Sequence, residues 1–204
     1  MTPRPRGKTR ERILDEAEAL IMANGFAGTS IDAVIGAVGI TKGAFFYHFK
    51  TKSDMARALV DRYQVADAAI LERFLATSAK LSSDPVQRLL VFTALCVEMA
   101  EQMEDPTPGC LFGSFCYESG QFGDDVLAIL DEAILSWRRA VAELVREAVA
   151  AEAPVREVDP ESLADLVTVI FEGAFVVART LREPGVFADQ LRHLRTYVEL
   201  LWGR

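Results

Sequence analysis

Residues 29–52 read Thr29-Ser30-Ile31-Asp32-Ala33-Val34-Ile35-Gly36-Ala37-Val38-Gly39-Ile40-Thr41-Lys42-Gly43-Ala44-Phe45-Phe46-Tyr47-His48-Phe49-Lys50-Thr51-Lys52. The pattern is two short helices joined by a glycine turn. Ser30 has the side chain of a helix N-cap, and Ile31, Val34 and Ile35 behind it recur at the spacing of one buried helical face. Gly39 stands where that helix must stop and the chain turn, a position that often needs positive φ. A second helix opens at Thr41, and Phe45 and Phe49 fall on one inward face. Thr41, Lys42, Tyr47, His48, Lys50 and Lys52 crowd this second segment with groups suited to nucleic acid. The arrangement is a helix-turn-helix, whose second helix enters the DNA major groove.

Charge distribution agrees with that reading although net charge does not. The 204-residue chain carries a formal charge of −8. Residues 1–52 nevertheless hold eight Lys or Arg (Arg4, Arg6, Lys8, Arg10, Arg12, Lys42, Lys50, Lys52) against five acids (Glu11, Asp15, Glu16, Glu18, Asp32). A basic head on an acidic body turns the head toward phosphate. The arm from Arg4 to Arg12 is a candidate for an adjacent groove. It lacks the apolar run of a secretory signal. Half the residues are hydrophobic (50%), enough for a sizeable core. The most apolar segment, 163–181, is interrupted by Asp165, Glu172 and Arg179, so no membrane span is expected. Three cysteines in a chain of this length make no disulfide framework, and the cytoplasm is the natural setting.

The rest of the chain reads as helix, with no alternating β-branched runs or hairpin dipeptides. A first helix is expected from about Thr9 to Asn24, closed by Gly25. The two motif helices follow, and a fourth starts near Ser53 and runs to about Lys80. Asp84-Pro85 opens a fifth, since proline suits the first helical turn. The loop Asp105-Pro106-Thr107-Pro108-Gly109 ends it. A short helix from Cys110 to Ser119, a break at Gly120-Gln121-Phe122-Gly123 and a long helix from Asp124 to about Ala151 come next. Asp159-Pro160 starts an eighth helix, ending at Glu183-Pro184-Gly185, and a ninth spans about Val186 to Trp202. The fold class is therefore all-α with about nine helices. Residues 1–52 are assigned to the DNA-binding domain and 53–204 to a regulatory domain.

The stretch from Gly25-Phe26 through Thr29-Ser30, Gly39-Ile40-Thr41-Lys42-Gly43 and Phe45-Phe46-Tyr47-His48-Phe49-Lys50-Thr51-Lys52 resembles the DNA-binding domain of TetR-family repressors. It covers roughly residues 8–60. The resemblance implies an N-terminal three-helix bundle with a helix-turn-helix, a linking fourth helix, and a five-helix body that binds ligand and dimerises. It also implies roles. Thr29 and Ser30 would contact phosphate, and Thr41, Lys42, Gly43 and Ala44 would open the recognition helix toward the bases. Tyr47 and His48 would reach phosphate, and Lys52 would clamp another. Lys42 is the strong donor there and suits guanine O6 and N7; Ala44 suits a thymine methyl. Phe46 departs from the family pattern, where many members carry a tyrosine whose hydroxyl meets the backbone.

In the body, Pro108-Gly109-Cys110-Leu111 entering the sixth helix resembles a subset of the family that includes sensors of reactive electrophiles, which implies Cys110 as a sensing thiol. A thiol at a helix start is also a plausible thiolate on dipole grounds. Against this, a cysteine is commonly a small buried hydrophobe, as Cys96 reads in its apolar run. An apolar pocket is the default regulatory site, with Phe92, Cys96, Met99, Met103, Cys110, Phe112, Phe115, Cys116, Trp137, Phe171 and Phe175 as candidate lining and Glu118 as polar anchor. Each equally suits ordinary core. The last two helices are apolar on more than one face: Leu163, Leu166, Val167, Ile170, Phe171, Ala174, Phe175 and Ala178, then Leu191, Leu194, Val198 and Leu201. Such helices are buried on two sides, as in a four-helix interface between two subunits.

No catalytic set, phosphate loop or cofactor motif is legible, and two distant histidines make no metal site. The reading is a homodimeric repressor on double-stranded operator DNA, released by a small-molecule inducer. Two alternatives stay open: an electrophile- or redox-sensing repressor acting through Cys110, and a ligand-independent DNA-binding protein.

Overall fold

The computed structural model describes residues 6–103 and 109–204. Arg4 and residues 105–108 of the expected loop lie outside the described residues. Nine α-helices and a one-turn 3₁₀ helix, Ser119–Gln121, form among the described residues, and no strand does. The helices are α1 (Arg6–Gly28), α2 (Ile31–Val38), α3 (Lys42–His48), α4 (Lys52–Leu81), α5 (Pro85–Gln102), α6 (Leu111–Tyr117), α7 (Asp124–Ala151), α8 (Pro160–Leu181) and α9 (Gly185–Leu201).

Several boundaries follow from short-range chemistry. The Asp84 carboxylate accepts from Gln87 N (2.8 Å) and the Asp159 carboxylate from Ser162 N (2.7 Å), and each is followed by proline at the first helical position. The fourth helix starts one residue before the expected Ser53. Thr51 caps it by accepting from Asp54 N at 3.0 Å, and the Asp54 carboxylate returns to Thr51 N at 3.0 Å, a reciprocal capping box. Gly25 does not end the first helix. It breaks the helical geometry at φ 78°, ψ 165°, and the chain resumes a helical turn as far as Gly28.

The described chain forms two compact units. The first contains the chain up to Val65 together with Cys110–Asp131; the second contains Ala66–Gly109 and Glu132–Arg204. The expected division into a DNA-binding part, 1–52, and a regulatory part, 53–204, is one of function and stays an expectation beside these packing units. Lys52 begins one continuous helix that reaches Val65 inside the first unit, and α6 returns to that unit, burying Leu111, Phe112 and Phe115. The core of the first unit also contains Ile13, Leu14, Ala17 and Ile21 of α1, Val34 and Val38 of α2, Phe45 and Phe49, and Met55 and Leu59 of α4. Phe26, Phe115 and Phe122 cluster with centroids 4.7–5.8 Å apart.

In the second unit α9 packs on both α5 and α8. An aromatic series runs through it from Phe74 to Phe92, Trp137, Phe171, Phe187 and Phe175, successive centroids lying 4.2–6.1 Å apart. Arg138 holds the Asp165 carboxylate through two bonds of 2.6 and 2.8 Å, joining α7 to α8. Leu163, Val167, Ala174, Phe175, Ala178, Leu191, Leu194, Val198 and Leu201, expected at a subunit interface, are core of this unit. The apolar side chains left exposed on α8 and α9 are Val169, Val176, Val177, Leu181, Tyr197 and Leu200.

Candidate nucleic-acid interface

The two motif helices are short, so their ends dominate their chemistry. Ser30 Oγ accepts from Ala33 N at 3.0 Å and caps α2. Gly39 closes it in the left-handed region (φ 69°, ψ 45°), its N–H reaching back to the Ile35 and Gly36 carbonyls. Thr41 Oγ1 accepts from Ala44 N at 3.2 Å and caps α3. Helix starts of this kind leave N–H donors and positive dipole ends for anions. Phe45 and Phe49 are buried and hold α3 on the unit, their centroids 5.9 Å apart.

The opposite side of α3 is open. Lys42 and Gly43 are exposed, and a Cβ built at Gly43 would meet nothing within 4 Å. Tyr47 is 60% exposed, and the half-buried His48 ring stands edge-on to it at 5.1 Å. Ala44 and Phe46 are half-buried, the Phe46 ring edge-on to Phe45 at 5.5 Å. Lys42 Nζ lies 3.3 Å from the Asp32 carboxylate, both side chains being exposed. Such a pair is worth about 0–1 kcal/mol, so a phosphate or a base edge competes for the ammonium at little cost. Sequence reasoning passed over Asp32 in this role.

Two expected phosphate contacts have partners within the protein. Thr29 is buried, and its hydroxyl donates to Gly25 O at 2.8 Å. Lys52 is half-buried; its ammonium donates to Phe26 O at 2.5 Å and stands 4.0 Å above the Phe26 ring. Burial pulls that ammonium below the usual lysine range, and the Glu118 charge offsets part of the shift. The basic arm differs too. Arg10 and Arg12 belong to α1, Arg12 donating to Val38 O at 2.6 Å and Arg10 lying 5.3 Å from the Phe49 centroid.

The expected ligand residues divide between the units. Cys110, Phe112, Phe115, Cys116 and Glu118 belong to the first, and Phe92, Cys96, Met99, Met103, Trp137, Phe171 and Phe175 to the second. Phe112 and Phe115 are buried, and Cys116 is exposed. Cys110 is half-buried with its sulfur 3.8 Å from the Tyr63 hydroxyl. The Glu118 carboxylate, expected as a pocket anchor, accepts from Phe26 N at 2.6 Å and Ala27 N at 2.7 Å. In the second unit Phe92, Cys96 and Phe175 are core. A cavity of about 210 Å³ between α4 and α5 is lined by Arg73, Phe74, Thr77, Leu95, Glu98, Met99 and Gln102, with Met99 alone from the expected set. The polar group on the aromatic series is Asp67, which accepts from Trp137 Nε1 at 2.8 Å; burial raises its carboxyl above the usual range. Nothing in the local sequence of α4 distinguishes Asp67 from a solvated acid.

Among the described residues no group of histidine, cysteine and carboxylate side chains is arranged to hold a metal. None of the helices among them is long and apolar enough to cross a membrane.

Comparison with known proteins covers both parts of the chain. The family described as bacterial regulatory proteins, tetR family, matches residues 13–59, and the tetracyclin repressor-like C-terminal domain matches residues 85–194. The chain is 31% identical over 161 residues to the transcriptional regulator AcuR of Cereibacter sphaeroides, covering 78% of this chain and 71% of AcuR. It is 22% identical to the HTH-type transcriptional repressor DhaR of Mycobacterium sp. (strain GP1), over 84% of this chain and 82% of DhaR. A TetR transcriptional regulator from Chloroflexus aurantiacus superimposes with a TM-score of 0.72 at 28% identity, over 95% of each chain. The reduced form of Escherichia coli NemR does so with a TM-score of 0.69 over 93% of this chain and 96% of NemR; at 19% identity that likeness carries the fold alone. With its helix-turn-helix and its regulatory body both matched, the chain belongs to the TetR family of DNA-binding transcriptional regulators.

Proposed function

We propose that the protein is a cytoplasmic homodimeric repressor that a small molecule releases from a near-palindromic operator. The observation that carries the reading is the outward face of α3: a capped helix start with Lys42, open space at Gly43, and an exposed Tyr47. Each subunit would set that face in one half-site, roughly 34–36 Å from its counterpart. The exposed apolar side chains of α8 and α9 are the surface for pairing. The proposed specific contacts are Lys42 with a guanine edge and Ser30, Tyr47 and His48 with phosphate.

Binding to DNA upstream of the protein's own gene, by fluorescence anisotropy, tests this. Specific binding should weaken steeply with salt, because phosphate neutralisation releases counterions. Lys42→Ala should cost about 1–3 kcal/mol and relax base choice at one position of the site. Unchanged base selectivity in that variant refutes the base-reading role.

A second reading, release by an electrophile at Cys110, is favoured by the Tyr63 hydroxyl 3.8 Å from the sulfur, a partner suited to a developing thiolate. Release by N-ethylmaleimide that vanishes in Cys110→Ser supports it. A response retained in that variant removes it.

A further inference from the structure

Between the first helix and the recognition motif the chain makes one tight turn, and a residue from far along the sequence sits inside it. At Gly25 the backbone leaves helical geometry with φ 78° and ψ 165°. The turn that follows therefore has a helix start of its own, whose Phe26 and Ala27 N–H groups need acceptors from outside the helix. The Glu118 carboxylate, at the end of α6, covers both: Oε1 to Phe26 N at 2.6 Å and Oε2 to Ala27 N at 2.7 Å. It occupies the place of a side chain at residue 25, since a Cβ there would lie 2.7 Å from Oε1. The positive φ calls for glycine here, and a Cβ would in addition oblige the Glu118 carboxylate to move.

The other contacts of this turn lead into the recognition motif. Phe26 O accepts from Lys52, the first residue of α4, and from Thr29 N at 3.1 Å. Gly25 O accepts from the Thr29 hydroxyl. Thr29 passes directly into Ser30, the N-cap of α2. The Phe26 ring is clasped by Phe115 of α6 and by Phe122. A single carboxylate thus fixes the turn from which α2 departs, while Lys52 ties the same turn to α4.

We infer that Glu118 is a positioning residue for operator recognition: from α6 it locks the Phe26–Ala27 turn and thereby sets the orientation of α2 and α3. The inference rests on the operator-binding reading above. Glu118 itself touches no DNA in this scheme. Its loss should impair the ability to discriminate an operator, which needs fixed helix orientation, more than the general attraction to phosphate, which does not.

The experiment uses the full-length protein, a labelled operator duplex selected from random DNA by the wild type, and a scrambled duplex of equal length. The active fraction is titrated separately for each protein. In Glu118→Ala the operator Kd should rise about tenfold, as charge-assisted bonds of this kind warrant, with the scrambled-duplex Kd within about twofold of wild type. Glu118→Gln keeps one amide oxygen for one of the two N–H groups and should fall between the two. If Glu118→Ala aggregates, the Gln variant decides by the same ratio. A loss of melting temperature or active fraction with an unchanged operator-to-scrambled ratio means a purely structural cap and overturns the proposal. A wild type that does not distinguish the two duplexes overturns the functional reading instead. The positioning claim is then judged by amide exchange at Phe26 and Ala27, and unchanged exchange in Glu118→Ala refutes it.

Discussion

Thr29 illustrates how a side chain with the right chemistry for DNA takes a different partner. Its hydroxyl is buried and donates to Gly25 O. Thr29→Val keeps the shape and removes the donor, so it should lower stability by about 1–2 kcal/mol in urea unfolding and leave the DNA affinity of the folded fraction unchanged. A large affinity loss in the folded fraction would mean that the hydroxyl serves DNA binding, by phosphate contact or by holding the turn ahead of α2. Cys96 is a second case. Burial pushes its thiol from 9.0 up to about 12. Native protein at pH 8 should therefore not yield Cys96 to a disulfide reagent until it unfolds, as mass spectrometry of the labelled peptides will show. The linkage has a definite sign. Between about pH 9 and 12 the unfolded chain has lost the proton that the native chain keeps, so Cys96 makes stability fall as pH rises through that window. For Thr29 and Lys52 the polar group is visible in the sequence, whereas the internal partners, Gly25 O and Phe26 O, are not.

Helices were legible where their signals act over three or four residues. Asp84-Pro85 and Asp159-Pro160 announce α5 and α8, and the long apolar periodicity from Asp124 to Ala151 marks α7. The break at Gly25 was visible as a glycine, but the helical turn beyond it depends on Glu118, 92 residues away from Phe26. No local pattern encodes a partner at that separation, which is why Glu118 read as a pocket residue. Two helix ends also make opposite predictions. Gly39 ends α2 at φ 69° and Arg182 ends α8 at φ 59°. Gly39→Ala should destabilise by about 1 kcal/mol, since a Cβ strains that conformation although nothing crowds the site. Arg182→Gly should stabilise by a similar amount, because it relieves the same strain at a helix end. Paired thermal melts check both signs, and a stabilised Gly39→Ala would contradict the backbone argument.

At the scale of the whole molecule, the all-helical layout was legible from composition and periodicity; for pairing, the sequence pointed to the last two helices but not to which of their side chains stay outside. Most of the residues chosen from the apolar pattern are internal, with Leu166, Ile170 and Phe171 half-buried, because a helix needs one buried face within its own unit before any second face is free. What remains outside is a thinner set: Val169 at 62% and Val176 at 49% exposure on α8, Tyr197 at 46% and Leu200 at 63% on α9. Val176→Glu should halve the mass seen by light scattering and weaken operator binding together, whereas Val155→Glu, exposed outside those helices, should do neither. An unaltered mass for Val176→Glu would place the pairing surface elsewhere. The first compact unit is itself discontinuous, taking residues up to Val65 and again Cys110–Asp131. The DNA reader is therefore not a cassette. A chimaera that transplants only its N-terminal segment onto a foreign regulatory body leaves behind the carboxylate that closes the Gly25 turn and the phenylalanines that clasp Phe26. Rewiring this regulator to a new signal requires carrying α6 along with the helix-turn-helix, two separate pieces of gene for one piece of protein.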